Sequence, residues 1–347
     1  MMIKSNLISK YPHISAFLRR KLVGVYLTIY TALTLCKNCA LMRPGLYLIT
    51  GKTATKWECR GTTQDLRVSK GSGVYLIIPI FSLKKRSSQK QFDALCLGMP
   101  SSKLYFDFST QTVIRIEASP VYNESYEQHR RILGPVINDV SFEIFNDRSS
   151  MKEQWIEGKI LKYHEFSKRQ DYVSALIRDL IGFAEIKGVR LENKDLSLFQ
   201  HNAIFLDALK RYKIPINTAL KILRVSPNIP SHGDLGLQNI VVTEEGYRVI
   251  DWDYRRVGCR PVWYDILSLL SGPQDADLRC AWLGKGFEGE VRLIHQLIGT
   301  GTLRDILIVL PLAWSIMTAS FRSDALSTSN PFITRWCDAF DLYIEST

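Results

Sequence analysis

Three oxygen-bearing side chains fall within 18 positions of one another: Asp234 and Asn239 in "SHGDLGLQNIVV" (231–242), and Asp251 in "YRVIDWDY" (247–254). Both stretches place polar residues at the ends of Val- and Ile-rich runs, as strand ends do where a rigid scaffold presents reactive groups. "NIVVT" and "YRVIDW" are joined by "EEG" at Glu244–Gly246, so they read as a hairpin that brings Asn239 and Asp251 beside one cleft. Phosphoryl transfer from a nucleotide asks for such a set. A carboxylate must orient the attacking hydroxyl and take its proton, and hard oxygen donors must hold magnesium on the phosphates. Asp234 suits the first role, Asn239 and Asp251 the second. Each piece alone is also ordinary turn chemistry, because Asp, Asn and Gly populate turns. Their order and spacing favour a site.

The elements that must position the hairpin follow from the pattern. Strand signals at "FDALCLG" (92–98), "KLYFDF" (103–108) and "TVIRI" (112–116) predict an antiparallel meander. "NESYEQHRRIL" (123–133) begins with an Asn cap and carries helical spacing at Tyr126, His129 or Arg130, and Leu133. Two more strands are expected around 141–145 and 151–156, and helix from Ile160 to Val225, with "DYVSALIRDLIGFAEI" the clearest amphipathic piece. The expectation is an α+β chain: a small antiparallel-sheet lobe at 92–157, then a mostly helical lobe at 158–347 with the hairpin as its only strand pair.

The composition suits this: 347 residues, 46% of them hydrophobic, bury a sizeable core and exclude a disordered chain. The net charge of +11 is uneven, with 16 Lys and Arg against 2 Asp and Glu in residues 1–91 and 29 against 32 in the rest. Residues 1–91 therefore read as a basic extension with helix and early strands. It is a solvated face, or it meets an anionic membrane surface or another polyanion, and no nucleic-acid partner is expected. The apolar run Leu22–Cys36, as a helix of about 22 Å, is short of a hydrocarbon core of about 30 Å, which predicts a buried or interfacial helix. Seven scattered cysteines, an odd number, predict a reducing, cytoplasmic setting, with contact at the inner membrane face as an extension of that reading. The lone pair Cys36 and Cys39 reads as ordinary thiols.

His-Gly-Asp-x-x-x-x-Asn at His232–Asn239, followed by Ile-Asp-Trp-Asp at Ile250–Asp253, resembles the aminoglycoside phosphotransferase and choline kinase branch of the protein-kinase-like fold. The likeness runs over roughly 92–270, and "RPVWYDILSLL" (260–270) is similar to the family's next segment. It implies a two-lobed fold with ATP and Mg2+ as cofactors. The implied acceptor is the hydroxyl of a small molecule: a sugar, an amino sugar or an aminoglycoside-like compound. It further implies that Asp234 is the catalytic base, that Asn239 and Asp251 ligate the metal, and that His232 and Asp265 support the loop.

Where the family carries a strand lysine for the nucleotide phosphates, this chain has Arg115, whose fork differs from a point-like ammonium. Glu127 is its expected partner, ahead of Glu124. "GMPSS" (98–102) is the expected phosphate loop, offering Gly98 and the hydroxyls of Ser101 and Ser102. "QWIEG" (154–158) is similar to the hinge, with Trp155 or Ile156 near the adenine. "HGD" in place of "HRD" and a short segment after Asp251 argue against a protein substrate. Two alternatives stand beside this reading: a catalytically inactive nucleotide-binding protein of the same fold, suggested by Arg115 and the thin loop, and a membrane- or polyanion-binding protein acting through residues 1–91. The acceptor is expected against residues 271–347, where Asp275, Asp277, Glu288, Glu290, Asp305 and Asp324 are scattered acids and Trp282, Trp314 and Trp336 are large apolar surfaces.

Overall fold

A computed structural model describes residues 45–50, 53–57, 77–79, 94–97, 102–107, 110–117, 120–191, 194–252, 258–272, 275–321 and 331–346. The Leu22–Cys36 run and the Cys36/Cys39 pair lie outside them. The chain divides into two compact units, Met1–Asn123 with Ser141–Ile156, and Glu124–Val140 with Glu157–Thr347.

The first unit is built on strands β1 (Gly45–Thr50), β2 (Thr53–Trp57), β3 (Ile77–Pro79), β4 (Ala94–Leu97), β5 (Ser102–Asp107) and β6 (Thr112–Glu117). Helix α1 (Glu124–Leu133) interrupts it in sequence before β7 (Phe142–Ile144) and β8 (Ser150–Gln154) complete it. The eight strands form one antiparallel sheet in the order β3-β2-β1-β4-β5-β6-β8-β7. The expected meander is β4-β5-β6. The alternation of β6 puts Val113, Arg115 and Glu117 on the buried face and leaves Ile116 exposed. That face carries charge, so it needs internal partners: Arg115 Nε lies 3.8 Å from Glu153 Oε2 of β8, and Tyr122 Oη donates to Glu117 Oε1 at 3.4 Å.

The observed division differs from the expected segments 1–91, 92–157 and 158–347 in two places. β1 pairs with β4, Leu46 opposite Cys96, so strands from 45–79 extend the sheet that β4 belongs to. A change in side-chain charge at residue 91 is no boundary for a sheet held by backbone hydrogen bonds. The second difference is α1, which packs with the helical unit through Tyr126, Arg130 and Leu133, the buried face of its helical period.

The second unit runs β9 (Lys159–Ile160), α2 (Phe166–Lys187), α3 (Ser197–Gln200), α4 (Ala203–Arg211), α5 (Ile216–Val225), β10 (Asn228–Ser231), β11 (Ile240–Thr243), β12 (Gly246–Val249), β13 (Gly258–Pro261), α6 (Trp263–Leu270), α7 (Ala276–Leu283), α8 (Glu288–Ile298), α9 (Leu303–Phe321) and α10 (Pro331–Ser346). The hairpin β11–β12 is not the only strand pair. β9 adds a third strand to β11, and β10 pairs with β13. Neither addition has a sequence signature, because β9 is two residues long and β10 reads "NIPS". Gly158 allows β9 to approach: a Cβ there would lie 2.1 Å from the Val242 carbonyl oxygen.

α9 is the central helix, packed against α3, α4, α5, α6, α8 and α10. Its stretch Leu303–Ser320 is long and apolar enough to cross a membrane, yet 72% of it is buried within the protein, as a core helix should be. α2 is fastened across the unit by ion pairs. Arg169 bridges Asp275 (3.5 Å) and Asp277, and Arg178 Nη2 and Ser174 Oγ both meet Glu290 Oε1 at 2.6 Å.

Candidate functional site

The loop between β10 and β11 is organised around one buried carboxylate. Asp265, in the first turn of α6, is 1% exposed and collects three donors. Ser231 Oγ donates to its Oδ1 at 2.9 Å, His232 N to its Oδ2 at 2.8 Å, and Gly233 N to Oδ1 at 3.4 Å. The turn they make requires Gly233, whose φ is +88°. His232 is fully buried. Its Nε2 faces the Ile250 carbonyl oxygen at 3.0 Å, which can only accept, and its Nδ1 accepts from Asp234 N at 3.3 Å. Both ring nitrogens are thus occupied, which fixes a neutral imidazole as a brace between the loop and the end of β12.

Burial pushes the Asp265 carboxyl up from its ordinary 3.8 to about 6, against the opposing pull of the His232, Ser231 and Gly233 hydrogen bonds and of Arg260. The folded protein therefore holds this proton more tightly than the unfolded chain does. The stabilising contribution of the protonated form is complete below 3.8 and is lost as pH rises through about 6. Measured by urea unfolding from about pH 4 to about pH 7, the stability of the wild-type protein relative to Asp265→Asn should fall by roughly 2 kcal/mol. A flat difference would show that the carboxyl does not titrate in that window.

Beyond the turn, a short 3-10 segment, Leu237–Asn239, delivers Asn239 into the interior. Its Nδ2 donates to the Asp234 carbonyl oxygen at 2.8 Å and lies 3.5 Å from Asp234 Oδ2. Asp234 itself is half-buried. Asp251 is brought alongside through the backbone, since Ile250 N donates to the Asn239 carbonyl oxygen at 2.9 Å. Asp251 leaves β12 in the left-handed region, φ +61°, which Asp tolerates better than most side chains but which still costs about 1–2 kcal/mol. Trp252 follows it, buried, with its ring 4.8 Å from that of His232.

The donor set fits a hard divalent cation. Fixing Asn239 Nδ2 on Asp234 turns its Oδ1 the other way, and no hydrogen bond reaches that oxygen among the described residues. Among the described residues there is also no cluster of three or more His, Cys, Asp and Glu of the kind a protein-only metal site uses. One amide oxygen and one carboxylate are the sparse protein contribution that Mg2+ accepts when phosphates and water complete its shell.

The other expected residues are placed less tightly. Glu127, on α1, pairs with Arg131 one turn on at 2.8 Å, while Arg115 in the sheet lies near Glu153. Trp155 is buried and Ile156 half-buried at the end of the first unit. Gly98 and Ser101 lie outside the described residues, and Ser102 begins β5 with its side chain outside them. Of the acids in the expected acceptor region, Asp275, Asp277 and Glu290 are engaged by α2, Glu288 pairs with Arg292 at 2.6 Å, and Asp305 Oδ2 accepts from Thr302 N; Asp324 lies outside the described residues. Sequence reasoning missed Ser231, whose only signal was its place directly before the His-Gly-Asp triplet. It also missed the packing of Trp252 on His232.

No protein-family model matches the chain, and no curated protein matches it. Solved structures similar to it include choline kinase LicA from Streptococcus pneumoniae, 13% identical, covering 72% of this chain and 91% of that one with a TM-score of 0.45. A choline kinase from Cryptosporidium parvum is 12% identical, with 73% and 89% covered and a TM-score of 0.42. The AMP-bound spectinomycin phosphotransferase APH(9)-Ia is 14% identical, with 69% and 87% covered and a TM-score of 0.37.

Proposed function

We propose that this protein is an ATP- and Mg2+-dependent phosphotransferase acting on a hydroxyl of a small molecule. The observation that carries the reading is the loop itself: Asp265 and His232 brace a turn from which Asp234 and Asn239 project together, with Asp251 brought alongside just past the end of β12. In this reading the Asp234 carboxylate orients the acceptor hydroxyl and takes its proton as the new P–O bond forms and the bond to the nucleotide's leaving oxygen breaks. Asn239 and Asp251 hold Mg2+, which supplies neutralisation of the phosphate charge. The carboxylates after Asp265 that are tied to arginines are poor anchors for a polycationic acceptor, so a sugar or amino sugar with few charges suits them better.

The test is a mass-spectrometric search for a metabolite that gains a phosphate when ATP and the protein are added. The expected gain is present with wild type and absent with Asp234→Ala; no gain over a broad metabolite set, or an equal gain with the variant, would end the proposal. A second reading, nucleotide binding without transfer, is favoured by the position of Arg115 beside Glu153, which competes with phosphate for its charge. It expects ATP binding with no turnover.

A further inference from the structure

The charged residue at the centre of α1 takes no part in the roles assigned so far. Arg130 is fully buried, and its guanidinium forks onto Asp139, Nε to Oδ2 at 2.6 Å and Nη2 to Oδ1 at 3.0 Å, while Nη1 donates to Tyr126 Oη at 3.1 Å. Three of its five N–H groups are engaged in this way, and the guanidinium lies over the Trp252 ring, Cζ 5.6 Å from the centroid. The Trp252 ring in turn lies against His232, the brace of the loop. The segment that carries Asp139 is tied to the same strand end by its backbone: Asn138 O accepts from Val249 N at 3.0 Å, and Asp139 bridges Val249 in parallel. Two lines of contact thus leave Arg130 and converge on residues 249–252, on either side of Asp251.

We infer that Arg130 is a positioning residue for the metal-binding aspartate: locked by Asp139 and Tyr126, it clamps Trp252 on His232 and holds Asp251 in its left-handed backbone conformation. The inference rests on the proposed role of Asp251. A residue with an unfavourable φ relaxes unless its neighbours over-determine it, and here the neighbour on the C-terminal side is Trp252. A buried arginine pair is a weak source of net stability but a strong source of fixed geometry, because its fork admits one orientation.

The test separates fold from geometry. In Arg130→Met/Asp139→Asn the ion pair is removed, while the amide oxygen at position 139 can still accept from Val140 N, which Asp139 Oδ1 now holds at 2.8 Å. Urea unfolding reports whether it is folded, and electron paramagnetic resonance of Mn2+ in the presence of a non-hydrolysable ATP analogue reports the metal site without turnover. The expected result is an unchanged urea midpoint with Mn2+ affinity weakened about tenfold or more, the usual effect of removing an outer support of a ligand. Arg130→Lys, which keeps the charge and loses the fork, should show the same loss and serves alone if the double variant does not fold. Wild-type Mn2+ affinity in a folded Arg130 variant overturns the inference while leaving the phosphotransferase reading intact. Mn2+ binding in wild type that survives Asp251→Ala overturns both.

Discussion

Alanine at position 234 is expected to lower phosphate transfer by about 10²–10⁴-fold, the usual worth of a positioned general base, while nucleotide affinity stays as in wild type. The reason lies in what the variant leaves behind. Asn239 takes its firmest contact from the Asp234 backbone oxygen rather than the carboxylate, 2.8 Å against 3.5 Å, so removing the side chain keeps the loop closed and the proposed metal ligands where they are. The loss should therefore fall on kcat, with KM for ATP unmoved. Asp251→Ala should behave differently, raising the Mg2+ concentration needed for half-maximal rate. Steady-state kinetics over ATP and Mg2+ checks both. Equal losses in kcat and in nucleotide affinity for Asp234→Ala would show that the variant collapses the loop, and the carboxylate would lose its separate role.

Asp265→Ala should be the most destabilising single change in the loop, on the order of 3–5 kcal/mol at neutral pH. It orphans the Ser231 hydroxyl and the His232 amide together, while the Gly233 amide keeps Ser231 Oγ at 3.1 Å as its acceptor, and all three residues are buried. Each unsatisfied buried donor costs about 1–3 kcal/mol, and their shared acceptor keeps the costs from adding in full. Asp265→Asn retains acceptor oxygen and should lose less. Contrast Asp277→Ala, which removes one of two partly redundant acids around Arg169 at a half-exposed position. Urea midpoints order the three variants, and a loss below about 1 kcal/mol for Asp265→Ala would mean that water can enter and replace the carboxylate.

The hairpin and its loop were legible because they are local. Strand ends, a glycine turn and their spacing are written in residues 231–253, and the alternation of β6 and the helical face of α1 are likewise short-range patterns. Strand partners are not local. β9 and β10 are too short to carry a period, and their pairing with β11 and β13 depends on segments tens of residues away. The charge step at residue 91 marks no break in the sheet for a related reason: it describes side chains, whereas β1 and β4 are joined through the backbone.

Sequence alone determined the types and the order of the residues proposed to carry chemistry, because acidity, amide oxygen and turn propensity are properties of single residues and short spacings. Tertiary structure decided which charges are at work elsewhere. Asp275, Asp277 and Glu290 are scattered acids of the expected acceptor region in sequence and fastenings of α2 in space. Arg130 looks like one basic residue among several in a helix and is the only one there that is fully buried, against Asp139 and Trp252. Burial and pairing are set by what the rest of the chain brings alongside a residue, and no spacing within one segment encodes that.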